Sequence, residues 1–197
     1  MVVNDIMYDR TDPTARYGYG IDDDQMKWLE ADLSYIPKDR TIVLCGHAQM
    51  FKKRGNTPNG SFSKYYVNYE RYRDLLTSYR FVYSWSGHYH DNFGYDYRNN
   101  GHPDGISNVV SVTVARCNGQ LRSNRELTAE GVPNGYMVCS VKGDDMSWYY
   151  KSVGRDASYQ IRAYSPARTG DGYVKANIWN WTDRLGGIAQ HAPVAVH

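Results

Sequence analysis

Two segments of this sequence share one pattern: Thr41–His47 reads TIVLCGH, and Phe81–His90 reads FVYSWSGHYH. Each begins with a run of apolar or aromatic residues, which is typical of a buried strand. Each run is followed closely by glycine and then histidine. Together with an abundance of tyrosine and glycine, these runs predict a strand-rich fold with few helices, of the α+β or α/β class.

A helix is predicted before each of these strands. Asp22 is a good N-cap with Gln25 three residues on, which is the capping-box spacing, and Pro37 ends the helix. The three acidic residues Asp22–Asp24 are better explained by helix capping than by metal binding. The second helix is predicted over Tyr69–Tyr79. The expected apolar faces are Met26, Leu29 and Leu33 in the first helix, and Tyr72, Leu75, Leu76 and Tyr79 in the second.

The second half of the chain is predicted to be mostly strands. A turn is expected at Arg98–Gly101, and a hairpin around Gly143–Asp145. The predicted strands are Val2–Tyr8 near the start, Asn92–Tyr97, Val109–Ala115, Tyr136–Lys142, Met146–Ser152, Tyr159–Tyr164 and Tyr173–Trp179. From about Leu121 onward the sequence contains strand patterns but no long helix pattern. We therefore predict one domain over residues 1–120, a small all-β domain over 121–187 and a flexible tail over 188–197.

Composition excludes several classes of function. The net charge of +2 is too balanced for nucleic acid to be the main partner. No apolar run approaches the roughly 18 residues that a membrane span needs. Three cysteines at wide spacing do not indicate a disulfide framework. The first ten residues do not resemble a secretory signal, so localisation stays open, with export expected only if a parent protein carries a leader.

Three of the six histidines form a candidate metal site: His47, His88 and His90. On an extended backbone, residues two apart point to the same face, so His88 and His90 are expected to present two imidazoles together. His47 follows the other strand in the same way, and neighbouring strands that end alike bring all three to one rim. Neutral imidazole is a common ligand of zinc, iron and manganese. The other histidines, His102, His191 and His197, are interpreted as hydrogen-bonded loop residues, the last two in the tail.

These motifs resemble those of a known family. Ser86–His90 resembles the last signature of the calcineurin-like metallophosphoesterases, Gly-His-x-His, and Leu44–His47 resembles the lone-histidine motif before it. The helix that contains Asp24–Leu29, followed by the strand that leads to His47, also fits the architecture of that family. The region from Pro133 to Trp181 is similar to the β-rich domain appended to the carboxy end of one bacterial branch.

The resemblance implies a fold and an activity. It implies the carboxy-terminal half of a four-layer α/β sandwich, followed by the small all-β domain. Family members hold two divalent ions, which would be manganese, iron or zinc. His47 and His88 match ligands of the second ion, and His90 matches a ligand of the first. Hydroxide activated by the two ions would hydrolyse a phosphate ester in a phosphorylated small molecule or a phosphoprotein.

The sequence departs from the family in one respect. The family's Asp-x-His, Gly-Asp-x-x-(x)-Asp and Gly-Asn-His-Asp/Glu motifs are all absent before His47. The bridging aspartate, the asparagine ligand and the histidine that protonates the leaving group therefore have no counterpart. We expect the amino-terminal half of the catalytic domain to be missing, and little or no turnover from this chain alone.

Two other interpretations remain open. Cys45 lies two residues before His47, so one thiolate and the three imidazoles could form a structural zinc site in a protein that is not an enzyme. The second alternative is a β-rich binding module, in which carboxy-terminal aromatics stack on a sugar or a partner. Packing in the core is the better explanation of those residues, which are Trp148, Tyr149, Tyr150, Trp179 and Trp181.

Overall fold

The structure is a computed structural model that describes residues 1–7, 18–51, 66–100 (only the backbone at 99–100), 104–118, 127–128 and 131–179. The chain divides into two compact units, Met1–His88 with Gly94–Val112 and Tyr89–Phe93 with Thr113–His197. The domain boundaries predicted from the sequence, 1–120, 121–187 and 188–197, stay predictions.

Small sheets and two main helices build the first unit. Its elements are β1 (Ile6–Met7), β2 (Gly18–Gly20), α1 (Asp23–Ser34), β3 (Thr41–Cys45), β4 (Tyr66–Val67), α2 (Tyr69–Thr77), β5 (Phe81–Ser86), β6 (Phe93–Asp96), α3 (Tyr97–Asn100) and β7 (Val109–Thr113). Mixed sheets with few helices are compatible with an α+β fold, and the four-layer sandwich stays a prediction.

The larger sheet has the strand order β3-β5-β7-β6. β3 and β5 are parallel, with Thr41 opposite Phe81 and Cys45 opposite Trp85. Alternate residues of β3 are buried, whereas every residue of β7 is buried. The two apolar runs that suggested buried strands are therefore neighbours in one sheet, and they end at the same edge because they run in the same direction.

Helix α1 begins as the sequence predicts. The Asp22 side chain accepts a hydrogen bond from the Gln25 N–H at 2.7 Å, and Met26, Leu29 and Leu33 are buried. The Gln25 side chain does not complete a capping box. Its amide instead bonds to both backbone groups of Asn4, at 2.8 and 2.7 Å. Gln25 therefore ties the first residues of the chain to the start of the helix.

Helix α2 ends at Thr77, two residues earlier than predicted. Tyr72 and Leu76 are buried as expected, and Tyr79 is also buried although it lies beyond the helix. The Tyr79 hydroxyl donates to the Leu33 carbonyl, whereas the buried Tyr72 hydroxyl has no hydrogen-bond partner among the described residues. Two buried tyrosines of the same unit thus differ in whether the hydroxyl is satisfied.

The turn predicted at residues 98–101 is wrong in its first part, because Tyr97–Asn100 forms the short helix α3. Asp96 stabilises this segment. Its buried carboxylate accepts the backbone N–H of Arg98 at 3.0 Å and two guanidinium hydrogen bonds at 2.9 and 2.7 Å. The residue types at 98–101 favour a turn, and they do not indicate that Asp96 pairs with Arg98 and stabilises a helix there.

The first residues of the chain run alongside β3. Val2 makes a parallel bridge to Cys45, and the Val3 N–H donates to the Cys45 carbonyl at 3.0 Å. Of the predicted strand over Val2–Tyr8, the structure forms this bridge and β1, and Tyr8 lies outside the described residues. This pairing brings Asp5 to the end of β3, where the sequence predicts a functional residue.

The second unit contains the predicted hairpin. It pairs β8 (Gly135–Lys142) with β9 (Asp145–Ser152), and β10 (Ile161–Tyr164) pairs with β11 (Lys175–Ile178) around the short helix α4 (Pro166–Thr169). Trp179 and Tyr150 pack with Val132 in a buried cluster, and Trp148 is also buried. The burial of these aromatics agrees with the core interpretation, while Trp181 and the predicted tail lie outside the described residues.

Candidate metal centre

The exits of β3 and β5 bring His47 and His88 together. The ladder between the strands continues past their ends, because the Gly46 N–H donates to Trp85 and the Gly87 N–H donates to the His47 carbonyl, both at 3.0 Å. The two imidazoles meet at their nitrogens, with His47 Nε2 3.1 Å from His88 Nδ1. Their rings lie edge to face, with centroids 5.1 Å apart.

The backbone at the His-x-His segment is not extended. His88 and His90 both have positive φ, 68° and 65°, and β5 ends before them at Ser86. The expectation that an extended backbone points these two side chains to one face is therefore wrong. Left-handed conformations are uncommon outside glycine, although histidine is one of the residues that adopts them more often.

Tyr19 is a further residue in contact with the histidine pair, and sequence reasoning missed it. Its hydroxyl oxygen lies 2.9 Å from His88 Nε2, and the two rings are edge to face at 4.9 Å. Both ring nitrogens of His88 thus have a partner, the Tyr19 hydroxyl on one side and the His47 imidazole on the other.

Asp5 holds the loop that carries His47. Its side chain is 1% exposed, and its two carboxylate oxygens accept the N–H groups of His47 and Ala48 at 2.9 and 2.8 Å. Burial raises the pKa of the Asp5 carboxyl, and the two N–H groups oppose that shift. The signal in the sequence is one acidic residue within the short apolar segment that opens the chain.

Gly46 makes this carboxylate clamp possible. A Cβ atom at this position would lie 2.6 Å from Asp5 Oδ2, which is closer than side chains tolerate. The glycine in the Gly-His pattern is therefore needed for the close approach of Asp5 to the loop.

His90 belongs to the second unit. Burial raises the pKa of the neighbouring Asp91 carboxyl, and the charge of His90 opposes that shift. In the same unit, the Asn92 side chain accepts the Ala115 N–H at 3.0 Å. The structure thus brings two of the three predicted ligands together, while the participation of His90 stays a prediction.

The spacing of the two imidazoles fits a shared metal ion. Zinc–nitrogen bonds are about 2.0–2.1 Å long, so two nitrogens bound to one ion at angles between a right angle and a tetrahedral angle lie roughly 2.8–3.4 Å apart. The observed distance of 3.1 Å falls in this range, and it is also the length of the hydrogen bond that the two imidazoles form without an ion. Among the described residues, no group of three or more His, Cys, Asp or Glu side chains is placed to hold an ion. A site that includes Cys45 therefore also stays a prediction.

The comparison with protein families gives a match to part of the chain. Residues 122–185 match the family described as the C terminal of Calcineurin-like phosphoesterase. The resemblance proposed from the sequence is confirmed over these residues, and this match suggests a family of metal-dependent phosphoesterases. Comparison with curated proteins and with solved structures gave no significant match. Within the described part of the chain, no helix has the length and apolar character to cross a membrane.

Proposed function

We propose that this chain carries part of the two-metal site of a calcineurin-like phosphoesterase, and that His47 and His88 bind one of the two ions. The observation that carries the proposal is the 3.1 Å approach of His47 Nε2 to His88 Nδ1 at the ends of two parallel strands. The family match to the domain that follows in such enzymes supports the same assignment. By resemblance, residues 1–120 correspond to the carboxy-terminal half of the four-layer sandwich, and His90 binds the other ion.

The residues of this chain have separate tasks in such a site. The His47 and His88 imidazoles donate lone pairs to the ion, and Asp5 fixes the backbone on which His47 stands. Two bound divalent ions of manganese, iron or zinc would supply an activated hydroxide and charge stabilisation for phosphate-ester hydrolysis. The substrate class is a phosphorylated small molecule or a phosphoprotein.

This chain alone is expected to hold metal weakly and to turn over little or no substrate. None of the three other family motifs occurs before His47, so the bridging aspartate and the acid for the leaving group have no counterpart in this sequence. Two imidazoles without a bridging carboxylate leave most of the charge of a divalent ion uncompensated. We expect little or no hydrolysis of p-nitrophenyl phosphate by this chain alone, and a clear metal-dependent rate would contradict that expectation.

Zinc binding tests the site directly. Metal content is first measured by elemental mass spectrometry on protein purified without chelator, and metal-free protein is then titrated with zinc by calorimetry. We expect the loss of either ligand, in His47→Ala or His88→Ala, to weaken binding by about 100-fold or more, because even outer-shell changes cost roughly 10–100-fold. His102→Ala, at a histidine that the sequence does not assign to the site, is the control and should bind like the wild type. The proposal is wrong if the wild type binds no zinc, or if neither ligand variant changes the affinity.

A further inference from the structure

We propose that Tyr19 is a positioning residue for His88. The Tyr19 hydroxyl holds Nε2 of the His88 imidazole, so that Nδ1 faces His47 as a bare nitrogen. The part of this proposal that concerns metal binding rests on the proposed function. The contact that motivates it is the 2.9 Å approach of the Tyr19 hydroxyl oxygen to His88 Nε2.

The chemistry of imidazole explains why this contact matters. A neutral imidazole has one N–H and one bare nitrogen, and only the bare nitrogen can bind a metal. His88 presents Nδ1 to His47 and Nε2 to Tyr19. An ion shared by the two histidines therefore requires the His88 proton to be on Nε2, where the Tyr19 hydroxyl oxygen can accept it. A ligating histidine usually donates its second N–H in this way, and the acceptor fixes both the tautomer and the ring orientation.

The backbone of Tyr19 is held on both sides. It lies in β2, the central strand of the three-stranded sheet β1-β2-β4, opposite Ile6 on one side and Tyr66 on the other. The next residue, Gly20, packs so closely on β4 that a Cβ atom there would lie 2.4 Å from the Val67 nitrogen. The backbone of Tyr19 is therefore held in place, as the backbone of a residue that orients another side chain must be.

The conformation of His88 gives an independent reason for such a partner. Its backbone has φ of 68°, outside the regular strand that ends at Ser86. The ladder of β5 therefore does not determine where this ring points. The two nitrogen contacts, to Tyr19 and to His47, hold the ring at both of its nitrogens.

The experiment compares the wild type with Tyr19→Phe, which removes only the hydroxyl. Tyr79→Phe is the control, because it removes a buried hydroxyl of the same unit that bonds to the Leu33 carbonyl. Long-range proton–nitrogen NMR spectra report which His88 nitrogen carries the proton, with and without zinc, and calorimetry gives the zinc affinity. We expect the proton on Nε2 in the zinc-bound wild type, and a zinc affinity lower by about 10–100-fold in Tyr19→Phe. The control should keep the wild-type affinity.

Each outcome decides a separate point. A zinc-bound wild type with the proton on Nδ1 overturns the positioning role without any variant, so the test does not depend on the folding of Tyr19→Phe. Equal zinc affinity and an equal tautomer ratio in wild type and Tyr19→Phe also overturn it. If the wild type binds no zinc, the proposed function fails, and the tautomer ratio of metal-free His88 still decides the role of Tyr19. A shift of that ratio in Tyr19→Phe supports the role, and an unchanged ratio refutes it.

Discussion

Substitution of Asp5 by asparagine tests how the first unit supports His47. The asparagine side chain would have nearly the same shape, but it would offer one accepting oxygen where the carboxylate offers two. In the native protein those two oxygens accept the N–H groups of His47 and Ala48, at 2.9 and 2.8 Å. In Asp5→Asn, the amide NH2 group must face one of these N–H donors. Either the buried N–H of Ala48 or the partly buried N–H of His47 therefore loses its partner.

The size of the effect follows from that lost partner. A buried donor left unsatisfied costs about 1–3 kcal/mol. Part of this loss is offset, because the substitution removes a buried charge whose desolvation raises the pKa of Asp5. We expect a net loss of about 1–2 kcal/mol, which corresponds to roughly 5- to 30-fold in an opening equilibrium.

Amide hydrogen exchange measures this loss at the site itself. In Asp5→Asn, the amides of His47 and Ala48 should exchange roughly 5- to 30-fold faster than in the wild type. Asp96→Asn is the matched control, since this carboxylate is similarly buried but bonds to Arg98. It should destabilise the unit while leaving the zinc affinity unchanged, whereas Asp5→Asn should also weaken zinc binding. Unchanged exchange at both amides in Asp5→Asn would refute the reasoning.

Three further predictions concern packing. Gly20→Ala should lower the free energy of unfolding by more than about 2 kcal/mol, because its φ of +146° and the backbone of β4 exclude a Cβ atom. Gly18→Ala, with open space around it, should change it by less than about 0.5 kcal/mol in the same urea titration. Tyr72→Phe should stabilise the unit by about 1 kcal/mol and Tyr79→Phe should destabilise it by a similar amount, since only the second hydroxyl has a described partner; equal signs in thermal melts would contradict this. Trp179→Ala should cost about 3–5 kcal/mol and abolish the near-ultraviolet dichroism of the second unit, because the ring is buried; a folded variant of wild-type stability would exclude the core interpretation.

The regular elements are well predicted from the sequence because they depend on local patterns. Asp22 and Pro37 bracket the first helix, and the buried residues fall on the predicted face. The hairpin over Gly135–Ser152 follows from two strand patterns around a short turn. The runs that end in Gly46 and Gly87 predict two strands, and the structure pairs them in parallel.

The supporting residues of the candidate site could not be predicted in this way. β1, β2 and β4 have only two or three residues each, which is too short for a periodic pattern. Asp5 reaches His47 across 42 residues of sequence, and Tyr19 reaches His88 across 69. Neither residue type at these positions indicates its partner, because the pairing depends on which short strand lies beside which. The sequence thus predicts the ligand candidates but not the groups that orient them.

The histidine segment shows why a period-two argument fails at a strand exit. Side chains two residues apart share a face only while the backbone stays extended, and β5 ends at Ser86, before His88. Glycine adopts a positive φ at almost no cost, whereas another residue held in such a region costs about 1–3 kcal/mol. Histidine nevertheless stands at both positive-φ positions, 88 and 90. Because strain of this kind persists only where surrounding contacts fix the conformation, the contacts of His88 with Tyr19 and His47 are two of the interactions that hold an imidazole there.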